Sequence, residues 1–380
     1  MKIDLSRAIV IDQHCHAIRE GYLQMDEISL RRCFTESRSL KMIEQHVQYG
    51  LHYMDMLNQL GRVFDVHGER HYLELRQTMR EYDHINCLFD DASLGAFIVD
   101  DAFATGETMS LRKMFDLCRR PIYRCLRLET ILESAIAHAE SFQELMTVFA
   151  KSLAASYEVK TVAFKSICAY RGGLTIDHIV EKAAAEDFAN LKKEMQRQQQ
   201  PLRIERRPIY HYALLDAFEL AGQLNFPVQI HTGIGDSDED LREANPLCMR
   251  ELFESKRFSQ TQFVLLHCYP FVREAAYLAA IYPNVYMDLS LAAFLASTAM
   301  EEILHEALSA APSSKILAAS DGHSTPETHW FGCLSLKRSL SNVLDRLVGR
   351  GYITVEDATG IAGRVLHGNA RRLYSLEGLV

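Results

Sequence analysis

Short apolar runs alternate with longer amphipathic stretches along most of the chain. This alternation is typical of repeated strand–helix units, whose strands form a parallel sheet. Eight segments have the length and apolar content of buried strands, and eight strands close a barrel. We therefore predict an α/β fold of the (β/α)8 TIM-barrel type. The predicted strands are 8–14, 95–101, 123–128, 160–167, 226–231, 262–267, 284–290 and 315–321.

A long segment, 20–94, separates the first two predicted strands and is rich in Leu, Met, Tyr and His, with few Gly or Pro. This composition predicts a helical insertion after strand one, over or beside the barrel mouth. We predict a single domain, 1–380, that includes this insertion. The Met- and Tyr-rich stretch 51–75 offers a surface for a homo-oligomer.

Several predicted strands end in metal-ligand residue types rather than in turn residues. Strand one ends in His14-Cys15-His16, and alternate side chains of an extended chain share a face, so both imidazoles point the same way. The carboxyl ends of all barrel strands meet at one mouth. A lone strand histidine is more often a hydrogen-bonded core residue, so the prediction of a divalent-metal site depends on the whole set. The set is His14, His16, His231, His267 and Asp321.

Lys165 lies within the apolar run TVAFKSICAY, in what should be a buried strand. A buried ammonium without a partner is unfavourable, and burial lowers the pKa of a lysine. The neutral amine can add carbon dioxide and become a carbamate, an anionic ligand able to bridge two metal ions. The alternative is that Lys165 remains an amine, paired with Asp321 or with a substrate carboxylate.

The ligand set, in its order along the strands, resembles the signature of the amidohydrolase superfamily. The segments FKSICAYRGGL, IHTGIGD and SDGHSTPE, and the closing VLHGNARRLY, resemble its amidohydrolase-2 branch. This branch includes the amidohydrolase domain of FluG-type proteins, which is fused to a glutamine-synthetase-like domain. The resemblance covers strand one and about 160 to the end. It implies a metal site formed by His14, His16, Lys165, His231, His267 and Asp321.

The resemblance implies a metal-dependent hydrolase that cleaves a C–N (amide-type) bond of a small carboxylate-bearing substrate with metal-activated water. In that interpretation Asp321 is the catalytic proton acceptor, and the cofactor is zinc, as two ions bridged by carbamylated Lys165 or as one ion. One alternative is a mononuclear metal-dependent decarboxylase with an unmodified lysine. A further alternative is a non-catalytic metal-binding scaffold, which the intact ligand set disfavours.

Substrate-binding residues are expected in the loops that follow the strands, where barrel enzymes keep their specificity. Arg171 is placed to bind a substrate carboxylate through its bidentate guanidinium, although a salt bridge to a neighbouring acidic loop is an equal alternative. For His323 we expect one of two roles, either to polarise a leaving group or to cap a helix. The candidates are Tyr170, Arg171, Asp236, Arg242, Tyr269 and His323.

Charge and composition exclude several other classes. There are 41 Lys and Arg against 50 Asp and Glu, a net charge of −9, with no basic run, which argues against nucleic-acid binding. No apolar run approaches the roughly 18 residues of a membrane span. The nine cysteines contain no CxxC pair and indicate reduced thiols in the cytoplasm. HTGIGD lacks the third glycine of a dinucleotide loop, so we expect no nucleotide cofactor.

Overall fold

Seven parallel strands form one curled sheet in the computed structural model, which describes residues 3–103, 106–155, 159–197 and 201–376. The strands pair in chain order, and each begins within two residues of its predicted start. The prediction of an α/β fold with a parallel sheet is confirmed. The strands are β1 (Val10–His16), β2 (Leu94–Asp100), β3 (Ile122–Arg127), β4 (Thr161–Ser166), β5 (Val228–Thr232), β6 (Phe263–His267) and β7 (Val285–Met287).

Helices separate every pair of consecutive strands. Their ends follow local signals: Pro326 stands in the first turn of α15, where its missing N–H is not needed, and Thr354 and Asp357 form a capping box on α16. The helices are α1 (Glu27–Arg32), α2 (Leu40–Gln45), α3 (Leu51–Phe64), α4 (Glu69–Thr78), α5 (Glu81–Asp91), α6 (Leu111–Cys118), α7 (Leu128–His138), α8 (Phe142–Leu153), α9 (Glu181–Met195), α10 (Pro208–Leu224), α11 (Arg250–Glu254), α12 (Val272–Ile281), α13 (Ser290–Leu295), α14 (Met300–Ala310), α15 (Pro326–Gly349), α16 (Val355–Gly363) and α17 (Asn369–Leu373).

The eighth predicted strand, 315–321, is not a regular strand, which corrects that part of the prediction. Its backbone still contacts both edges of the sheet, because the Leu317 N–H donates to β7 and the Ala318 carbonyl accepts from β1. The pattern breaks at Ser320, whose N–H donates to the carboxylate of Asp12 at 2.8 Å. A side chain of β1 therefore replaces a backbone acceptor, so this segment connects β7 to β1 without a regular ladder.

Helices α1 to α5 lie between β1 and β2, within the segment 20–94. A buried ion pair connects α4 to α15. Arg76 on α4 donates to the carboxylate of Glu327 on α15 at 2.8 Å, and neither side chain is exposed. The hydroxyl of Tyr72 donates to the same oxygen at 2.7 Å. The loop 33–39, between α1 and α2, reaches the carboxyl edge of the sheet, where it contributes to a cavity described below.

The core lies on both faces of the strands. On β6, Phe263 and Leu265 pack into a large cluster shared with the helices, whereas Val264 and Leu266 pack into a smaller cluster with Tyr374 near the end of the chain. Burial on both faces explains why the strands are almost continuously apolar. All nine cysteines are free, and no helix in the described ranges is both long and apolar enough to cross a bilayer.

Candidate metal centre and active site

A cavity of about 460 Å³ opens at the carboxyl edge of the sheet, and we call it the strand-end cavity. It gathers side chains from the ends of the strands, from the loops that follow them and from the loop 33–39. The predicted residues that line it are His14, His16, Lys165, Tyr170, Arg171, His231, Asp236, His267, Asp321 and His323.

His14, His16 and Asp321 converge at the floor of this cavity. The Nε2 atoms of the two histidines lie 3.2 Å and 3.3 Å from the same carboxylate oxygen, Oδ1 of Asp321. One potential ligand atom from each of the three residues lies within 4.8 Å of the others. This spacing suits a single small cation, which needs several ligand atoms directed at one point.

The hydrogen bonds of the two histidines leave both Nε2 atoms unprotonated. Nδ1 of His16 donates to the carbonyl of Asp100 at 2.9 Å, and Nδ1 of His14 donates to Oε1 of Gln229 at 2.8 Å. Two lone pairs therefore face Oδ1 of Asp321, a buried oxygen without a hydrogen-bond partner among the described residues. Three electron-rich atoms in contact require a cation or a proton between them, so the residues present fit a metal ion.

His267 and His231 extend this group along the neighbouring strands. Nδ1 of His267 lies 2.7 Å from the hydroxyl oxygen of Ser290. Because that hydroxyl donates its proton to Asp288, it can only accept a hydrogen bond from His267. The His267 Nδ1–H is therefore the donor, which leaves its Nε2 without a proton. The ring of His231 lies between those of His267 and Tyr170, with centroids 4.5 Å and 4.4 Å away and interplanar angles of 57° and 41°.

Two of the site residues have left-handed backbone conformations. The φ angle is 66° at His267 and 56° at Asp321, in a region that residues with side chains rarely occupy. The conformation at Asp321 is stabilised by a hydrogen bond from its N–H to the His14 carbonyl, at 3.0 Å. Such strain persists only where the surrounding structure fixes it, and it is concentrated at functional sites.

Burial keeps His14 and His267 neutral. It lowers the pKa of His14 to about 4, with the nearby Lys165 adding to the effect, and it lowers the pKa of His267 well below its usual value. Burial also acts to raise the pKa of Asp321, but the positive charge that a proton on His267, His14 or His16 would carry outweighs it, so that pKa lies well below its ordinary range and the carboxylate stays ionised. Neutral imidazoles around an ionised carboxylate are the protonation states that a metal ion requires.

Lys165 is buried beside this group, with Nζ 3.4 Å from Nε2 of His14. Burial lowers its pKa, although Asp321 and Asp100 act in the opposite direction. A lowered pKa favours the neutral amine, which is the form that can react with carbon dioxide.

Arg171 and Tyr170 form the part of the cavity next to β4. Arg171 makes an ion pair with Glu133 on α7 at 3.3 Å, so the salt bridge considered in the sequence analysis is present. Its Nε and Nη1 atoms are nevertheless buried without a hydrogen-bond partner among the described residues. The Tyr170 hydroxyl accepts from the N–H of Asp236 at 3.2 Å.

Two predicted substrate-binding residues do not line the cavity. Arg242 pairs with Asp240 in its own short turn, and its side chain is 87% exposed. Tyr269 precedes Pro270 at a turn, where its carbonyl accepts from the N–H of Ile234. His323 does line the cavity, and its Nδ1 lies 3.3 Å from the Asp321 carbonyl.

Several residues in or beside the cavity were not predicted. Arg127, at the end of β3, binds the buried carboxylate of Asp100 at 2.6 Å, and its position at a strand end was a signal that could have found it. Glu36 lies in the loop 33–39, and Glu239 lies 3.5 Å from Nε2 of His231. Neither acidic residue has a recognisable pattern in the sequence.

The fold and the site together define a class of α/β proteins. In this class a parallel sheet carries, at its carboxyl edge, a cavity lined by histidines, an aspartate and a buried lysine. Ligands of open parallel sheets and of barrels bind at this edge.

Comparisons with known proteins show what this chain is similar to. Residues 195–376 match the amidohydrolase family. The chain is 33% identical to the protein fluG of Emericella nidulans over 250 residues, which are 62% of this chain but 29% of the fungal protein. A crystal structure from Lactobacillus casei, described as a candidate metal-dependent hydrolase, has a TM-score of 0.88 and 25% identity over 99% of both chains. The resemblance to the amidohydrolase superfamily is confirmed.

A more distant structure shows how widely this fold is shared. Uronate isomerase of Thermotoga maritima matches with a TM-score of 0.66 and 14% identity, over 97% of this chain and 95% of its own. At that identity the likeness concerns the fold alone. The fold is that of metal-dependent hydrolases, but it is compatible with more than one reaction.

Proposed function

We propose that this chain is a metal-dependent hydrolase that cleaves the C–N (amide-type) bond of a small carboxylate-bearing substrate. The observation that carries the proposal is the convergence of two unprotonated histidine nitrogens on a carboxylate oxygen that has no other partner among the described residues. We also propose that the segment 315–321 completes a (β/α)8 barrel, that 20–94 is its helical insertion, and that 1–380 is one domain.

His14, His16, Lys165, His231, His267 and Asp321 would hold one or two divalent ions, with zinc the expected metal and carbamylated Lys165 the bridge between two. When bound, the metal lowers the pKa of a water molecule and polarises the substrate carbonyl. The burial and neutral imidazoles described above support this assignment, because a metal ion binds the neutral form of histidine and the ionised form of a carboxylate.

The side chains around the metal ligands suit amide hydrolysis. The carboxylate of Asp321 is ionised and lies at the cavity floor, so it can take a proton from the attacking water and return it to the leaving nitrogen. The unpartnered Nε and Nη1 atoms of Arg171 can bind a substrate carboxylate. Tyr170 and Asp236 border the same space, and His323 lies beside Asp321.

The expected partner is a small molecule. A cavity of about 460 Å³ is within the usual size range for such ligands. We propose that the protein has no nucleic-acid partner, because its charge is negative without a basic run, and no membrane partner, because no apolar run is long enough. We propose a cytoplasmic location because the cysteines form no CxxC pair. A homo-oligomer is proposed from the stretch 51–75, in which Leu51 and Met54 are exposed.

The test is a metal count combined with a substrate screen. Protein grown with bicarbonate is expected to carry two equivalents of zinc per chain, a carbamate on Lys165, and activity toward amides that a chelator abolishes and zinc restores. One equivalent, a free amine and release of carbon dioxide from carboxylic acids would contradict hydrolysis and indicate a decarboxylase. Bound metal without turnover of any amide or acid would indicate a non-catalytic scaffold.

A further inference from the structure

Two carboxylates beside the strand-end cavity have no Arg or Lys partner among the described residues. Glu36, in the loop 33–39, lines the cavity and makes no hydrogen bond or ion pair with any described residue. Glu239, in the loop after β5, has a side chain that is 3% exposed, and its Oε1 has no hydrogen-bond partner in the described ranges. That oxygen faces Nε2 of His231 across 3.5 Å, and this nitrogen also lacks a hydrogen-bond partner in the part of the chain that the structure describes.

The two carboxylates belong to one acidic region. The loops that carry them are joined by Arg38, whose guanidinium lies 3.6 Å from Asp236 and 3.2 Å from Asp238. Burial raises the pKa of Glu36 to about 8, and the charges of Asp321, Asp236 and Glu239 act in the same direction, so this carboxyl is largely protonated at pH 7 and ionises when a cation binds beside it. Arg38 thus compensates the exposed acids of this region, whereas Glu36 and Glu239 are left without a cation.

Unpaired groups of both kinds therefore lie in or next to the same cavity: Glu36 and Arg171 line it, and Glu239 contacts His231, which also lines it. A buried carboxylate is unfavourable unless a cation or hydrogen-bond donors reach it. Arg171 is a cation of the same kind, because two of its guanidinium nitrogens, Nε and Nη1, have no acceptor among the described residues. These groups do not pair with one another, so a ligand that carries both charges would satisfy them together.

We propose that Glu36 and Glu239 form a subsite for a cationic amino group of the substrate. The substrate class is then amides that carry both an ammonium group and a carboxylate, such as dipeptides and the ω-amides of amino acids. This inference rests on the proposed function and narrows it, since hydrolysis of a carboxylate-bearing amide does not by itself require an ammonium group.

Matched pairs of ligands test the subsite in the zinc-loaded protein. Each pair contains a zwitterionic amide and the same molecule without its amino group, for example L-alanyl-L-alanine and propanoyl-L-alanine, or L-asparagine and succinamate. Calorimetry measures binding, and amide hydrolysis is followed separately. The zwitterion of the best-binding pair is expected to bind about ten-fold tighter or more, because a charged hydrogen bond is added. Equal binding within every pair, or no binding by any member, would overturn the subsite.

Two variants and a control locate the effect. Glu36→Gln and Glu239→Gln are expected to remove most of the preference for the zwitterion, while binding of the molecule without the amino group stays within about two-fold. Asp240→Asn is the matched control, because this acid lies in the same loop, pairs with the exposed Arg242 and keeps an oxygen for its turn. A preference retained in both Glu variants would contradict the assignment.

The zinc content of a variant shows whether Glu239 binds the ammonium group of the substrate or is instead a ligand of a second zinc ion. If Glu239 binds the substrate, Glu239→Gln keeps the zinc content of the wild type. Loss of one equivalent of zinc in this variant would assign Glu239 to the metal and overturn the proposal. Selective binding of zwitterions without hydrolysis would contradict the proposed function alone, whereas hydrolysis with equal binding within pairs would contradict the subsite alone.

Discussion

Arg171 carries two guanidinium nitrogens, Nε and Nη1, that find no partner in the described part of the chain. Lysine keeps the charge of this residue but loses the planar pair of donors that fits a carboxylate. Arg171→Lys is therefore expected to raise KM for the amide substrate about ten-fold with a smaller change in kcat. Steady-state kinetics measure both constants. Arg242→Lys is the control, and an equal effect of the two variants would refute the assignment.

Asp321 combines an ionised carboxylate with contacts to both histidines of β1. An asparagine at this position would preserve the shape of the side chain and tolerate the positive φ, but it would accept no proton. Asp321→Asn is expected to lower kcat about 10²- to 10⁴-fold. The assay is turnover at matched zinc content. Wild-type turnover by a zinc-loaded variant would show that the proton acceptor is another group.

At the scale of elements, the contact between α4 and α15 depends on the buried pair Arg76–Glu327. Burial acts to raise the pKa of Glu327, but Arg76 and His84 outweigh it and lower that pKa to about 2. Glu327→Gln leaves the guanidinium without its counter-charge, so we expect a loss of about 3–5 kcal/mol of unfolding free energy at pH 7. Urea unfolding monitored by circular dichroism measures this difference.

The difference in unfolding free energy between the wild type and Glu327→Gln is expected to decrease at low pH. Because the pKa of Glu327 is lower in the folded protein than in the unfolded chain, the ionised carboxylate stabilises the fold above about pH 5. This contribution is lost as pH falls toward 2, so the gap between wild type and Glu327→Gln is expected to narrow over that range. A gap that stays constant would show that the charge of Glu327 does not contribute.

The loop after β5 approaches the site closely at Gly235. A Cβ atom there would lie 1.9 Å from the Tyr170 hydroxyl and 2.7 Å from Nε2 of His231. Gly235→Ala is therefore expected to displace Tyr170 and lower kcat/KM at least about ten-fold, while the melting temperature changes little because the clash lies at the cavity. Gly349→Ala, where a Cβ meets nothing within 4 Å, is the control. Unchanged kinetics of Gly235→Ala would contradict this geometry.

For the whole molecule, the sequence was most informative where local pattern decides the structure. Apolar runs predicted the seven parallel strands, because burial on both faces requires such runs. The segment 315–321 also looked like a strand, but Ser320 donates to the side chain of Asp12 instead of continuing the ladder. That choice depends on a residue more than 300 positions away, which no local pattern shows.

The same limit applies to the site. Residues at strand ends could be placed in one cavity because parallel strands share a carboxyl edge, and the structure brings His14, His231 and Asp321 to it. Loops follow no such rule. Arg242 was expected there but turns to solvent beside Asp240, and Glu36 enters from an insertion whose path the sequence does not define.

The left-handed backbone at His267 and Asp321 has a consequence for how such proteins diverge. Glycine would adopt these φ angles without strain, so the fold alone would favour glycine at both positions. Selection for chemistry at the candidate metal centre would keep an imidazole and a carboxylate there. Descendants freed from that selection are therefore expected to lose these two side chains early while retaining the apolar strands, which makes the pair a marker for sorting active lineages from inactive ones.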